Sequence, residues 1–206
     1  MIGRVARVVP LELNGWRIRL RTLTEEDYEA WYAVRQRCRD WLVPWEPRPS
    51  GAPATPEDRL SFAARCGARE RERQLGGGFG FGLFMEGELV GEITLSSIQR
   101  GPFQNGFIGY WVDRAQAGMG LAPEAVVVVL RFAFEELRLH RVEIAIVPRN
   151  SPSRRVVEKL DLREEGVAQR FLEIDGRWED HVRYAITAEE WAERRQEILR
   201  VWLRKS

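Results

Sequence analysis

Lysine is nearly missing from this chain: only Lys159 and Lys205 occur, so arginine supplies 30 of the 32 basic residues. Set against 31 acidic residues, they leave a formal net charge of +1. That balance argues against a nucleic-acid partner, which needs a clearly basic face. A codon-composition bias explains the arginine preference more simply than an arginine-specific ligand does. Histidine is just as scarce, with two residues, so no histidine-based metal centre is expected. The two cysteines, Cys38 and Cys66, lie in helix-like stretches without C-x-x-C spacing. They read as reduced thiols, not as a disulfide framework. Nowhere do eighteen apolar residues run together, and residues 1–16 hold no apolar run of signal-peptide length. Neither a membrane partner nor export is expected, and the location reads as cytoplasmic.

What is present suits one globular domain over residues 1–206. Hydrophobic residues make up 44% and charged residues 31%, enough for a core of its own. The most informative stretch is FIGYWVDRAQAGMGLAPEA, from Phe107 to Ala125. Phe107 to Val112 is aromatic and β-branched, as in a buried strand. Gly118 and Gly120 follow, then Ala122, Pro123 and Glu124, with proline suited to a first helical turn. Val126 to Leu137 is apolar enough for a largely buried helix. Strand, glycine loop and helix start form the geometry of an anion site, where unpaired N–H groups meet the ligand. An ordinary turn has the same sequence signature. A P-loop is excluded because no Gly-Lys-Ser/Thr follows, and the dinucleotide fingerprint lacks its third glycine.

Along the rest of the chain, Asn14-Gly15 between alternating apolar residues signals a hairpin, with arginines 17, 19 and 21 on its solvent face. Thr24 starts a helix, with Asp27 as its capping-box partner. Tyr28, Trp31 and Arg35 share one helical stripe facing the core. Trp41 to Pro49, with three prolines, reads as a stiff extended loop. Thr55 and Pro56 start a charged helix running to about Gln74. Glu86-Gly87 turns a hairpin, and Gly91 marks a bulge in its second strand. Val142, Ile144 and Ile146 alternate on one face of a further strand. His140 before it reads as structural. Asn150 caps the next helix, Asp175-Gly176 turns another hairpin, and residues 188–204 form an amphipathic terminal helix.

The glycine loop resembles motif A of the GNAT acetyltransferases, Gln/Arg-x-x-Gly-x-Gly/Ala, matched from Ala117 to Ala122. Its glycine and final alanine fit, whereas Ala117 stands at the Gln/Arg position with Gln116 one place early. Asn150 and Ser153 match the family's Asn-x-x-Ser, although Asp161-Leu162 replaces the usual Gly-Phe after that helix. Asp nevertheless tolerates a left-handed cap. Two further runs, LVPWEP ending at Pro47 and DGRWEDH from Asp175 to His181, resemble the RimJ-type branch, N-terminal acetyltransferases of ribosomal proteins.

The resemblance spans residues 11–191 and implies an α/β GNAT fold: a central, mixed, mostly antiparallel and splayed sheet flanked by helices. It implies acetyl-CoA as co-substrate and no metal. The amides of Ala117, Gly118, Met119, Gly120, Leu121 and Ala122 would hold its pyrophosphate. Splaying would expose Tyr110, Trp111 and Val112 to the pantetheine arm, with the Val112 N–H polarising the thioester carbonyl. Asn150 would contact the cofactor and Ser153 would protonate the departing sulfur. Trp45, Glu46, Asp180 and His181 fall on the acceptor side, and Glu46 is the candidate base. Asp180 and His181 also read as ordinary polar strand residues. The resemblance implies an acceptor that is a protein N-terminus, with a ribosomal protein as partner, and admits a homodimer. A small-molecule amine acetyltransferase and a non-catalytic acyl-CoA sensor stay open as alternatives.

Overall fold

A computed structural model of the protein describes residues 11–47 and 57–204. Eight strands form one sheet in the order β1-β2-β3-β4-β5-β6-β8-β7. They are β1 (Glu12–Asn14), β2 (Ile18–Arg21), β3 (Phe79–Met85), β4 (Glu88–Gln99), β5 (Asn105–Val112), β6 (Arg141–Ile146), β7 (Arg163–Ile174) and β8 (Arg177–Thr187). The helices are α1 (Tyr28–Arg37), α2 (Arg39–Leu42), α3 (Arg59–Gln74), α4 (Leu121–Arg131), α5 (Ser151–Lys159) and α6 (Ala188–Leu203). Every pairing is antiparallel except β5 with β6. That parallel ladder covers only Asn105–Arg141, Gly106–Val142 and Phe107–Glu143 before the strands part. The mostly antiparallel, splayed sheet is therefore what forms.

Register decides which residues share a face, because paired residues point the same way and neighbours alternate. Ile93 pairs with Tyr110, Leu95 with Ile108, Ile144 with Tyr184 and Ile146 with Val182. These residues build the main core with α4, α5 and α6, where Val126, Val127, Val128 and Val129 are fully buried. The opposite face carries Glu92 with Trp111, Thr94 with Gly109, Ser96 with Phe107, and Ala145 with Arg183. A second cluster there joins Trp31 of α1, Phe62 of α3, Phe84 and Leu89. Among the described residues, no helix is long and apolar enough to cross a membrane.

Local sequence accounts for most boundaries. The capping box of Thr24 and Asp27 is present, and Asp161 adopts φ +49° after α5. A register shift between Leu83 and Phe84 leaves Val90 bulged beside Gly91. Four expectations need correction. Trp41 and Leu42 end α2, and Val43–Trp45 is a 3-10 turn, because Pro44 falls at its start where no N–H is needed. The helix after it is capped by Asp58, whose carboxylate accepts the Ser61 N–H at 2.7 Å. Thr55 and Pro56 lie outside the described residues. The helix from Leu121 gives way to a π turn at Phe132–Glu136 before Leu137. Only Arg19 of the three hairpin arginines is exposed, while Arg21 pairs with Asp27 at 2.6 Å and Arg17 with Glu124.

Gly91 is fixed by its neighbour. A Cβ there would run into the carbonyl oxygen of Trp111, which the β4–β5 ladder holds in place. Gly91→Ala is expected to lower the unfolding free energy by about 1–3 kcal/mol, the scale of overpacking. Urea denaturation reads this as a lower midpoint at unchanged m; an unchanged midpoint would show that the bulge yields.

Candidate active site

Where β5 and β6 separate, a cavity of about 670 Å³ opens between them. Its walls include Tyr110, Val112 and Ser153 on the core face, and Phe107, Trp111, Glu46 and His181 on the other. The slot thus connects the two faces of the sheet. The Asp113 N–H donates to Val90 O at 2.8 Å, toward β4. Main-chain N–H groups alternate between the edges of a strand, so those of Val112 and Tyr110 point toward β6, into the gap. The Val112 N–H is therefore oriented to polarise an acyl oxygen placed in the slot.

Asp113 closes β5 and shapes the loop that follows. Its buried carboxylate binds Arg37 at 2.5 Å and the Cys38 thiol at 3.1 Å, and accepts the Ala115 N–H at 3.0 Å. Burial alone would raise its pKa, but Arg37 and these donors hold it below the usual carboxylate range. Gly118 and Gly120 then take φ of +84° and +83°, and α4 begins at Leu121. Ala117 and Met119 use their N–H groups inside the loop, on Arg114 O at 3.2 Å and Gln116 O at 3.4 Å. The amides left for an anion are those of Gly118, Gly120 and the first turn of α4.

A buried carboxylate fixes this loop from behind. Glu124 is fully buried and accepts the main-chain N–H groups of Trp16 at 2.8 Å and Arg17 at 2.7 Å. Its second oxygen takes Arg17 Nε at 2.8 Å, and Arg17 Nη1 donates to Met119 O at 2.8 Å. In a trans peptide the C=O and the following N–H point opposite ways. Arg17, by holding the Met119 carbonyl, turns the Gly120 N–H away from itself. The β1–β2 hairpin is thereby latched to the glycine loop.

On the core face, the Tyr110 hydroxyl lies 3.0 Å from Ser153 Oγ and 3.1 Å from Ser153 O. Burial pushes the Tyr110 phenol well above its ordinary range, so it keeps its proton. Asn150 caps α5, its Oδ1 accepting the Ser153 N–H at 3.2 Å, and this sets the Ser153 position.

On the other face, Glu46 is ion-paired with Arg35, which also binds Glu57 at 2.7 Å. Trp45 packs under Arg149, whose guanidinium lies 4.8 Å from the ring centroid. His181 is 2% exposed and lines the cavity, edge-on to Phe171 at 5.6 Å. Asp180 points to the opposite face, is exposed, and accepts the Arg170 N–H at 2.9 Å. It is not brought to the cavity. Glu92 also lines the cavity; it is buried between Arg65, Arg69 and Trp31 Nε1, the last at 2.7 Å. Burial would raise its pKa, but Arg69 and Arg65 outweigh that and hold it low. It remains an anion and a poor base.

A family model described as an acetyltransferase (GNAT) domain matches residues 17–163. The chain belongs to the GNAT acetyltransferases. Over 195 residues, 93% of this chain and 98% of its relative, it is 31% identical to the [ribosomal protein uS5]-alanine N-acetyltransferase of Escherichia coli. It is 45% identical to the probable N-acetyltransferase YjcK of Bacillus subtilis over 108 residues, 52% of this chain and 60% of that protein. The solved structure of Mycobacterium smegmatis RimJ with CoA-disulfide superposes with a TM-score of 0.84 at 34% identity, covering 94% and 92% of the two chains.

As a GNAT acetyltransferase the protein uses acetyl-CoA to acylate an amine, and the slot fits that chemistry. Of the sequence-based site residues, Tyr110, Trp111, Val112, Ala117, Gly118, Ala122, Asn150, Ser153, Trp45, Glu46 and His181 line the cavity. Met119 is half exposed at the loop tip, and the Leu121 side chain is in the core. The Arg17–Glu124 pair has one local sign in the sequence, a lone carboxylate opening an apolar helix, which calls for a buried partner.

Arg17→Met is expected to weaken acetyl-CoA binding by about ten-fold, the scale of one charge-assisted hydrogen bond, with kcat unchanged. A Cβ on Gly118 meets no protein atom within 4 Å, whereas one on Gly120 would approach Arg17 Nη2 at 3.3 Å. Gly118→Ala therefore acts through left-handed strain of about 1–2 kcal/mol and through the ligand's own space. Calorimetry giving wild-type affinity for both variants would remove the loop as the pyrophosphate site.

Proposed function

We propose that this enzyme acetylates the α-amino group of a protein N-terminus, a ribosomal protein among them, by direct transfer from acetyl-CoA. One observation carries the reading. The PWEP and DGRWEDH stretches, far apart in sequence, join by main chain: Glu46 O accepts the Asp175 N–H at 3.2 Å, and Pro47 bridges Ile174. This junction borders the cavity, which is lined by Trp45, Glu46 and Pro47 of the first stretch, His181 of the second, and the neighbouring Trp41, Phe171 and Leu172. An apolar wall edged with carboxylates suits an extended N-terminal segment ending in an ammonium. The Escherichia coli relative, named for a ribosomal-protein alanine, supports the same acceptor class.

The chemistry favours an α-amine as well. With a pKa of about 7.7–8.0 it is roughly a quarter neutral at physiological pH, against about 0.1% for lysine at about 10.4. Arg35 is shared between Glu46 and Glu57, so Glu46, the one of the two that lines the cavity, does not have that guanidinium to itself. Glu46, already bound to Arg35, is better placed to attract and orient the amine than to remove its proton. The Val112 N–H polarises the thioester carbonyl, and Ser153, sharing a hydrogen bond with Tyr110, protonates the leaving sulfur.

Ser153→Ala is expected to lower turnover by about 10²–10⁴-fold while acetyl-CoA affinity holds. Unchanged turnover with chemistry rate-limiting would reduce Ser153 to a helix-start residue. Glu46→Gln should raise KM for N-terminal peptides more than it lowers kcat, leaving small amines almost unaffected. Thiol release over a panel of N-terminal peptides and small amines checks this, and a preference for small amines would replace the protein acceptor.

A further inference from the structure

We propose that His181 is the base that receives the proton of the acceptor amine, through Nε2. The inference rests on the enzyme's acylating an amine, and not on which amine that is. His181 Nδ1 lies 3.0 Å from the main-chain oxygen of Glu179. A carbonyl can only accept, so Nδ1 carries the hydrogen, and in the neutral ring Nε2 keeps its lone pair. Among the described residues Nε2 has no hydrogen-bond partner, and the ring lines the cavity.

Sheet register places this lone pair on the correct side of the slot. Ala145 pairs with Arg183, and Phe107 with Glu143, so His181 shares a face with Phe107, Gly109 and Trp111. Tyr110 and Ser153 lie on the opposite, core side, joined by their 3.0 Å contact. An amine entering from one face therefore meets a proton acceptor there and a proton donor across the gap. In the transfer, nitrogen bonds to the acetyl carbon and the carbon–sulfur bond breaks. The amine attacks in its neutral form; the proton its nitrogen sheds after bonding to carbon goes to His181 Nε2, and sulfur takes the Ser153 proton. The proton on His181 returns through water to the Ser153–Tyr110 pair, so the enzyme is unchanged.

Surrounding charges keep the ring available. Burial holds the His181 pKa below the usual histidine value, partly opposed by the Glu179 carbonyl and by Glu179 and Asp180. Glu179 is bound by Arg149 at 2.7 Å, and Asp180 accepts from the Arg170 main chain of β7. The β7 neighbours facing the ring, Ala168 and Phe171, are uncharged. Across the cavity, Glu46 is held by Arg35 and Glu92 by Arg65 and Arg69. The ring is neutral at physiological pH and loses its lone pair as pH falls, so kcat/KM carries an acid limb.

Two measurements test the assignment on the full chain. Only two histidines occur, so nitrogen-15 NMR with His140→Gln as the assignment control reads the His181 tautomer directly. Hydrogen on Nδ1 and a bare Nε2 at neutral pH are expected; hydrogen on Nε2 would overturn the proposal. His181→Asn keeps a donor for the Glu179 carbonyl but has no basic nitrogen. It should lower kcat/KM by about 10²–10⁴-fold and remove the acid limb, with acetyl-CoA affinity by calorimetry intact. Turnover within ten-fold of wild type, or a retained acid limb, would overturn it. His181→Gln repeats the test if His181→Asn does not fold. The amine used is whichever the wild type acetylates fastest; if that is a small amine, the protein acceptor fails while His181 is judged on the same profile.

Discussion

Strands β5 and β6 run hydrogen-bonded for three residue pairs and then part, and the rest of the site depends on that break. Beyond Phe107 the β5 edge presents main-chain groups without a ladder partner, facing a cavity where a ligand can supply one. Both edges stay rigid because each is held from its far side. β5 is paired with β4 from Gly91 to Gln99, and β6 with β8 along its whole length. A gap flanked by fixed edges needs no reorganisation when it fills, which is what aligned acyl transfer requires.

Six of the thirty arginines hold buried carboxylates around this gap. Glu124 is held by Arg17, Asp113 by Arg37, Glu92 by Arg65 and Arg69, and Glu143 by Arg141 and Arg183. Each carboxylate is buried, and each guanidinium reaches it from a more exposed position. Such pairs add little net stability over apolar packing, but breaking one leaves a buried charge. Their effect is positional: they fix the glycine loop, the end of β5 and the floor of the acceptor face. They also tie the oxygens of four carboxylates into ion pairs.

Much of this was legible in the sequence. The hairpins at Asn14-Gly15, Glu86-Gly87 and Asp175-Gly176, the Thr24 cap and the strand–GxG–helix order are local features, and local chemistry determines them. Three prolines between Trp41 and Pro49 point to an extended loop, yet Pro44 sits where a 3-10 turn tolerates it. Asp180 and His181 could not be separated by spacing alone. Strand alternation gives His181 to the cavity and Asp180 to the other face, and that depends on register with β6. The Arg17–Glu124 latch spans 107 positions, so no window of sequence contains it.

The proposed place for acetyl-CoA is the gap between β5 and β6, with its pyrophosphate on the glycine loop. Amide hydrogen exchange, followed residue by residue with and without coenzyme A, tests this most directly. Selective protection is predicted at Tyr110 and Val112, and at Gly118, Gly120 and Leu121, with Asp180 unchanged. Protection confined to other segments, with those amides exchanging at the free rate, would contradict the account.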